Sequence, residues 1–354
     1  MKNNLRAEKT IGDSIALDIL TSSVKLPPLP TNGTKLLSIA QQPMDRIDIT
    51  SFARLVEKDP GLFTRVLQLA NSPYYGGMEK IISLRAAITR IGLKEAINSI
   101  CLYFFQDMLP KFPGITGFSS KDYWAYSWAC ALANRRLGHP NLGMDILPGE
   151  LYLTGLLHGI GKLLMAIHYP NEFSSCLTRA RQLKQPLYKI ELEEFGTTDA
   201  YVASKVMEVW NLPANICAGV AFYQMPESAP AEYQNIAGLT QLAYGISGIS
   251  GIGSSGDGVL MDLSSTYICQ QFNLQISRKK IRENLVQEII TSLDEKSESV
   301  MGLPAKSQTN IAEKKNLGKT QIPGETQITA KRNSNASIEK KRFLGWLKSL
   351  FGKN

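Results

Sequence analysis

From Asp13 to Leu293 apolar residues recur at three- and four-residue spacing while β-branched alternation is scarce, so this stretch has to bury helical stripes against one another. The spacing predicts an all-α bundle rather than a sheet protein. Thr50–Glu57 places Phe52, Leu55 and Val56 on one stripe behind a Thr/Ser cap, and Asp59-Pro60 opens the next helix as N-cap and first-turn proline. Leu62, Val66, Leu69 and Ala70 form the buried face of that helix, and Asn71-Ser72-Pro73 stops it. Ser83–Gly92 ends in a glycine suited to a C′ position, and Leu93–Phe105 is apolar on nearly every side. Further helices are expected over Tyr123–Arg136, Glu150–His168, Glu172–Lys184 and Thr198–Trp210.

With 354 residues, 44% hydrophobic and 20% charged, the composition is that of a soluble globular chain with a sizeable core. Apolar stretches such as Ile97–Phe105 and Leu151–Leu157 fall far short of the roughly 20 residues a spanning helix needs, which excludes an integral membrane protein. The first residues lack an apolar segment followed by a small-residue cleavage site, so a cytoplasmic location is expected. Cys101, Cys130, Cys176, Cys217 and Cys269 contain no C-x-x-C pair and are expected to be reduced, buried and unreactive.

The net charge of +8 is unevenly placed. From Ser297 onward stand 11 basic and 4 acidic residues, which leaves 28 basic and 27 acidic ones in the first 296. A neutral body with a basic tail argues against nucleic-acid binding, because the few clustered charges of the tail have no basic face beside them. Residues 297–337 are rich in Ser, Thr, Asn, Gln, Lys and Gly without periodicity and predict a disordered basic linker. Residues 338–354 regain a pattern. Phe343, Leu344, Trp346, Leu347, Leu350 and Phe351 fall on one side of a helix, with Lys341, Arg342 and Lys348 on the other. Such a basic amphipathic helix, roughly 18 Å long, is too short to span a bilayer and orders on contact with an anionic membrane surface or a partner's groove. A glycine-dense segment, 245–258, lacks the Gly-Lys-Ser/Thr ending and preceding strand of a phosphate loop, and a flexible interhelical loop is expected there.

Several segments resemble the HDOD family of bacterial signalling domains, helical relatives of the HD phosphohydrolases. They are Leu26-Pro-Pro-Leu-Pro30, Glu57–Ser72 with Tyr75, Ser83–Leu93, Gly155-Leu-Leu-His-Gly-Ile-Gly-Lys-Leu163, Phe195-Gly196 and Trp210-Asn-Leu-Pro213, in the family's order. The resemblance implies an HD-like multi-helix bundle with a signalling role. It divides the chain into a 1–23 extension and a 24–296 helical domain, the latter with a 24–228 core and a 229–296 helical extension. The linker and the terminal helix follow.

An HD hydrolase holds metal ions with His and Asp side chains to activate water. By the same resemblance, Tyr126 stands at the first histidine position and the His-Asp pair reads His158-Gly159. Asp199 stands at a further histidine position, and Tyr223-Gln224 replaces a His-His pair. The chain has three histidines, His139, His158 and His168. His139 precedes a proline in a loop. His168 lies about 80° from His158 around one expected helix, where its charge complements the helix C-terminus. A His-rich di-metal centre therefore has no ligands, and no cofactor is expected. The sequence predicts a non-catalytic regulatory protein that binds signalling partners through its body and attaches to a partner or the inner membrane face through its terminal helix. Arg65, Asn71, Tyr74, Tyr75 and Arg85 are candidate contact residues on the body, with capping and packing as their alternative role. The competing expectation is a metal-dependent phosphohydrolase with an atypical site built on His158 and Asp199.

Overall fold

The computed structural model describes residues 14–21, 29–72, 75, 79–110, 114–138, 144 and 146–272. Tyr74, His139 and the expected linker and terminal helix, Lys341 to Phe351 included, lie outside the described residues. Among the described residues there is no strand, only an isolated bridge between Ile115 and Phe118.

A short helix over 14–21 (α1) precedes α2 (Thr31–Ala40), α3 (Ile49–Glu57), α4 (Pro60–Ala70), α5 (Leu84–Ile91) and α6 (Leu93–Met108). The Asp59 carboxylate accepts from the Gly61 and Leu62 amides and caps α4, and Leu62, Val66, Leu69 and Ala70 are its buried face, as the spacing predicts. The cap of α3 differs from expectation. Asp48, not Thr50 or Ser51, accepts from the amides of both those residues and starts the helix one residue earlier. A carboxylate satisfies orphan N–H groups better than a hydroxyl, since it is charged and sits at the positive end of the helix dipole. Gly92 joins α5 to α6 with φ +86°, a backbone conformation that a side chain would strain. Residues 96–105 of α6 are buried on every side.

The second half comprises α7 (Ser120–Leu137), α8 (Pro148–Leu157), α9 (Ile160–His168), α10 (Pro170–Leu183), α11 (Leu187–Phe195), α12 (Asp199–Val209), α13 (Ala214–Phe222), α14 (Gln234–Ser250) and α15 (Tyr267–Gln271). α7 lies along both α8 and α14, α12 packs on α9 and α13, and α6 meets α8, so one continuous core joins the two halves.

Three expectations change here. The helix expected over Glu150–His168 is two helices, interrupted at His158-Gly159, so the angular relation between His158 and His168 does not hold across it. Taken together, Pro148–His168 is 21 residues and apolar enough to cross a membrane by length and composition, contrary to the expectation that no such stretch exists. It is instead mostly buried among its neighbours in the core. Finally, the glycine-dense segment is not all loop. Gly245–Ser250 complete α14, and only 251–258 is irregular. That remainder is tied down, because the Ser254 amide donates to the Asp122 carbonyl at 3.0 Å. Gly253, at φ +59°, lies so close to α7 that a Cβ would sit 2.2 Å from the same oxygen.

Candidate functional site

The break between α8 and α9 falls at one buried imidazole. Gly159 separates the helices, and His158, 1% exposed, points into a ring of phenols. Tyr126 from α7, Tyr223 at the end of α13 and Tyr244 from α14 set their rings 6.0, 5.3 and 5.4 Å from the imidazole centre. The structure thus brings together Tyr126, His158 and Tyr223, three positions that the resemblance aligns with metal ligands. Asp199 and Gln224 join them. Gln224 Nε2 donates to Asp199 Oδ1 at 3.0 Å and to the Tyr223 hydroxyl at 3.2 Å.

His158 Nδ1 lies 2.7 Å from the Gly155 carbonyl, so this nitrogen carries the hydrogen and donates. Burial, reinforced by the nearby Lys162 ammonium, holds the imidazole pKa down at about 3 despite the Gly155 bond. The neutral ring is therefore part of the folded state. A group whose folded pKa is depressed from 6.5 contributes stability that is present above pH 6.5 and lost as the pH falls toward 3. Replacement of His158 by Phe is expected to remove roughly 4 to 5 kcal/mol of this pH-dependent difference across that window. Acid denaturation followed by circular dichroism on both proteins checks it, and parallel profiles would refute a buried neutral imidazole. The comparison must be between variants because Glu191 has the opposite slope.

Three buried ionisable groups complete the centre, and none was singled out from the sequence. Lys162 on α9 is 2% exposed; its Nζ donates to the Ser255 carbonyl at 3.1 Å and lies 5.5 Å from the centre of the Tyr244 ring. Glu191 on α11 is fully buried and accepts from the Asp199 amide at 3.0 Å. Burial, and then the adjacent Asp199 carboxylate, push its carboxyl well above the usual range, with Lys162 acting against them. Asp257 in the 251–258 loop accepts from the Tyr244 hydroxyl at 3.2 Å. Burial raises its pKa while Lys162 lowers it. Glu191 Oε1 and Asp199 Oδ2 are buried with no hydrogen-bond partner. Glu191 was legible in principle: it lies four residues from both Leu187 and Phe195, on the buried face of α11. The neighbouring Glu193 and Glu194 face outward and share Arg179, as a solvated pair would.

These residues do not fit an HD-type metal pair. Gly159 supplies no carboxylate, three phenols whose pKa values burial raises well above normal crowd the imidazole, and the Lys162 ammonium already stands over the Tyr244 ring. Among the described residues no group of three or more His, Cys, Asp or Glu side chains is disposed to hold a metal ion. The His158 ring lies 5.3 Å from that of Tyr223 and Gln224 links Asp199 to the Tyr223 hydroxyl, so phenol and amide stand between the two residues an atypical site would need.

The other candidates separate. Arg65 pairs with Asp107 and lies 5.1 Å over the Tyr103 ring. Asn71 exchanges hydrogen bonds with Ile81 N and O, both 2.8 Å, which closes the loop after α4. Tyr75 is half-buried against the core, whereas Arg85 is exposed. His168 stands in the last turn of α9, and burial lowers its pKa. All five cysteines are buried and free, and burial pushes Cys101, Cys176 and Cys217 up to about 12.

Comparison with known proteins agrees with this geometry. A family model for the HDOD domain matches residues 26–226. An HDOD domain protein of unknown function from Geobacter sulfurreducens superposes with a TM-score of 0.60 at 22% identity, covering 83% of this chain and 97% of that one. A protein from Marinobacter aquaeolei VT8 named "Putative signal transduction protein" gives 0.66 at 20% identity, covering 85% and 67%. At such identities the likeness is one of fold. A curated relative, an uncharacterized protein of Treponema pallidum (strain Nichols), is 23% identical over 223 residues, which are 61% of this chain. The chain spans 41% of that relative's length.

Proposed function

This chain belongs to the HDOD domain family, and from that premise we propose that it is a non-catalytic signal-transduction protein whose helical body binds protein partners. The observation that carries the reading is Lys162. Its ammonium, over the Tyr244 ring and bonded to the Ser255 carbonyl, is a fixed positive charge acting on the buried carboxyl groups of Glu191 and Asp257, which disfavours a metal ion beside them. The terminal segment from Lys341 to Phe351 then supplies attachment, through its basic and apolar faces, to a partner groove or an anionic membrane.

The test has two parts. Purified full-length protein, supplied in turn with manganese, iron and magnesium, is expected to hydrolyse no phosphodiester. Near-stoichiometric tight metal with turnover abolished by His158→Ala would instead establish the phosphohydrolase. A crosslinked pull-down then compares the full chain with one ending at Ser337. Partners recovered by both forms assign binding to the body, and partners or lipid lost on truncation assign attachment to the tail. A body that captures nothing in either form defeats the proposal.

A further inference from the structure

We propose that the cleft between α14 and the 251–258 loop is a binding site for a small organic cation, an ammonium compound. The inference goes beyond partner binding and does not depend on it. The cleft has a volume of about 190 Å³. A dry cavity of about 150 Å³ takes a benzene-sized molecule, so the space suits roughly five to eight non-hydrogen atoms.

Its walls are built from rigid parts. On the helix side are Gly245 and Gly248 of α14, with Tyr126 and Tyr244 beside them. On the loop side are Ser254, Ser255 and Asp257, and Leu260 and Met261 border the cleft. The loop cannot drift away, because its Ser254 amide is bonded to α7 and Gly253 sits against the α7 backbone. The Tyr126 hydroxyl donates to the Tyr244 carbonyl at 2.6 Å, which fixes the two aromatic residues relative to each other. A preformed cavity binds without the cost of ordering its walls.

The charge balance selects the ligand. Asp257 accepts from the Leu187 and Val259 amides, both 3.4 Å, and from the Tyr244 hydroxyl, all neutral donors. The ammonium it feels is that of Lys162, and Lys162 acts on Glu191 as well, whose neighbour is Asp199. One buried ammonium thus acts on two buried carboxyl groups, Glu191 and Asp257. The cleft opens onto Asp257, and a positive charge placed there would give this carboxylate the ion pair that its neutral donors do not. A carboxylate beside tyrosine side chains gives an organic cation an ion pair in a partly desolvated setting. A metal ion is the poorer occupant, because Asp257 is the sole carboxylate lining the cleft and the remaining oxygens are hydroxyl and backbone groups. An anion is repelled by Asp257.

Such a ligand would have a route to the centre around His158. Tyr126 and Tyr244 touch both the cleft and the imidazole, and Ser255 lines the cleft while its carbonyl holds Lys162. Occupancy would therefore bear on the buried cluster directly.

The experiment titrates the full-length protein with n-butylammonium and tetramethylammonium, with n-pentanol as a neutral control of similar size, by calorimetry and ligand-observed NMR. Saturable one-to-one binding of an ammonium is expected, with n-pentanol at least about tenfold weaker. Asp257→Asn, which keeps the acceptor oxygen, is expected to weaken the ammonium by at least about tenfold and leave n-pentanol unchanged. Gly248→Ala provides a second variant that should fold, since its methyl would sit 3.4 Å from Leu260 Cδ2 and 3.6 Å from the Tyr126 hydroxyl, ordinary contacts. By narrowing the cleft it should weaken tetramethylammonium more than the linear probe. Equal affinity for alcohol and ammonium, binding indifferent to both variants, or no saturable binding of either ammonium would each overturn the proposal.

Discussion

Replacing Lys162 with methionine is expected to cost the helical body about 3 to 5 kcal/mol, the effect of leaving buried charge without its partner. For a domain of this size that corresponds to a fall in melting temperature of roughly 10 °C. The side chain is 2% exposed and its ammonium acts on both Glu191 and Asp257. Methionine fills a similar volume, so the loss would be electrostatic rather than a cavity effect. The pH dependence identifies the cause. Without the ammonium, the folded-state pKa values of these carboxyl groups rise further above their unfolded values. A raised pKa stabilises below the unfolded value and loses that contribution as pH rises, so the deficit should be largest at neutral pH and shrink toward pH 4.5. The double variant Lys162→Met/Glu191→Gln is expected to recover part of the loss at pH 7. Thermal melts of the three proteins at several pH values decide the matter; a Lys162→Met protein that melts with the wild type would remove Lys162 from the charge balance.

The second large effect is steric. At Gly161 on α9 an added Cβ would lie 1.9 Å from the Asp199 carbonyl oxygen and 2.7 Å from its carbon, both backbone atoms that no rotamer change can move. Gly161→Ala is expected to force α9 and α12 apart and cost about 3 kcal/mol, at the upper end of ordinary overpacking. Because Asp199 heads α12 and is bonded to Glu191 and Gln224, the displacement would also disturb the tyrosine environment around His158. A lowered melting temperature together with a changed near-ultraviolet circular dichroism spectrum is the expected result. Gly248→Ala is the control, since its methyl meets only ordinary contacts and alanine favours the helix by about 1 kcal/mol. Equal melting temperatures for the two variants would show that the α9–α12 contact tolerates separation.

The centre around His158 was partly visible beforehand. The resemblance aligned Tyr126, His158, Asp199 and Tyr223-Gln224 one by one with ligand positions, and these residues do meet around one buried imidazole. Lys162, Glu191, Ser255 and Asp257 escaped notice for a common reason. Each is a polar residue in or beside an apolar or glycine-rich run, and a single sequence gives no sign of whether such a residue turns outward to water or inward to a partner. Glu191 came nearest, being in phase with Leu187 and Phe195.

What the sequence determined by itself were the helices and their faces, because apolar spacing and local caps such as Asp59-Pro60 act within a few residues of one another. It also determined the absence of a carboxylate after His158, a matter of residue identity alone. Tertiary structure alone decided that Pro148–His168 is interrupted at Gly159 and lies in the core, that 251–258 is a pinned wall rather than a loose loop, and that Lys162 acts on the buried Glu191 and Asp257. Those outcomes depend on contacts between residues 93 positions apart, as Lys162 and Ser255 are, or farther still, as Ser254 and Asp122 are, and no local periodicity encodes which distant partner a buried charge will find.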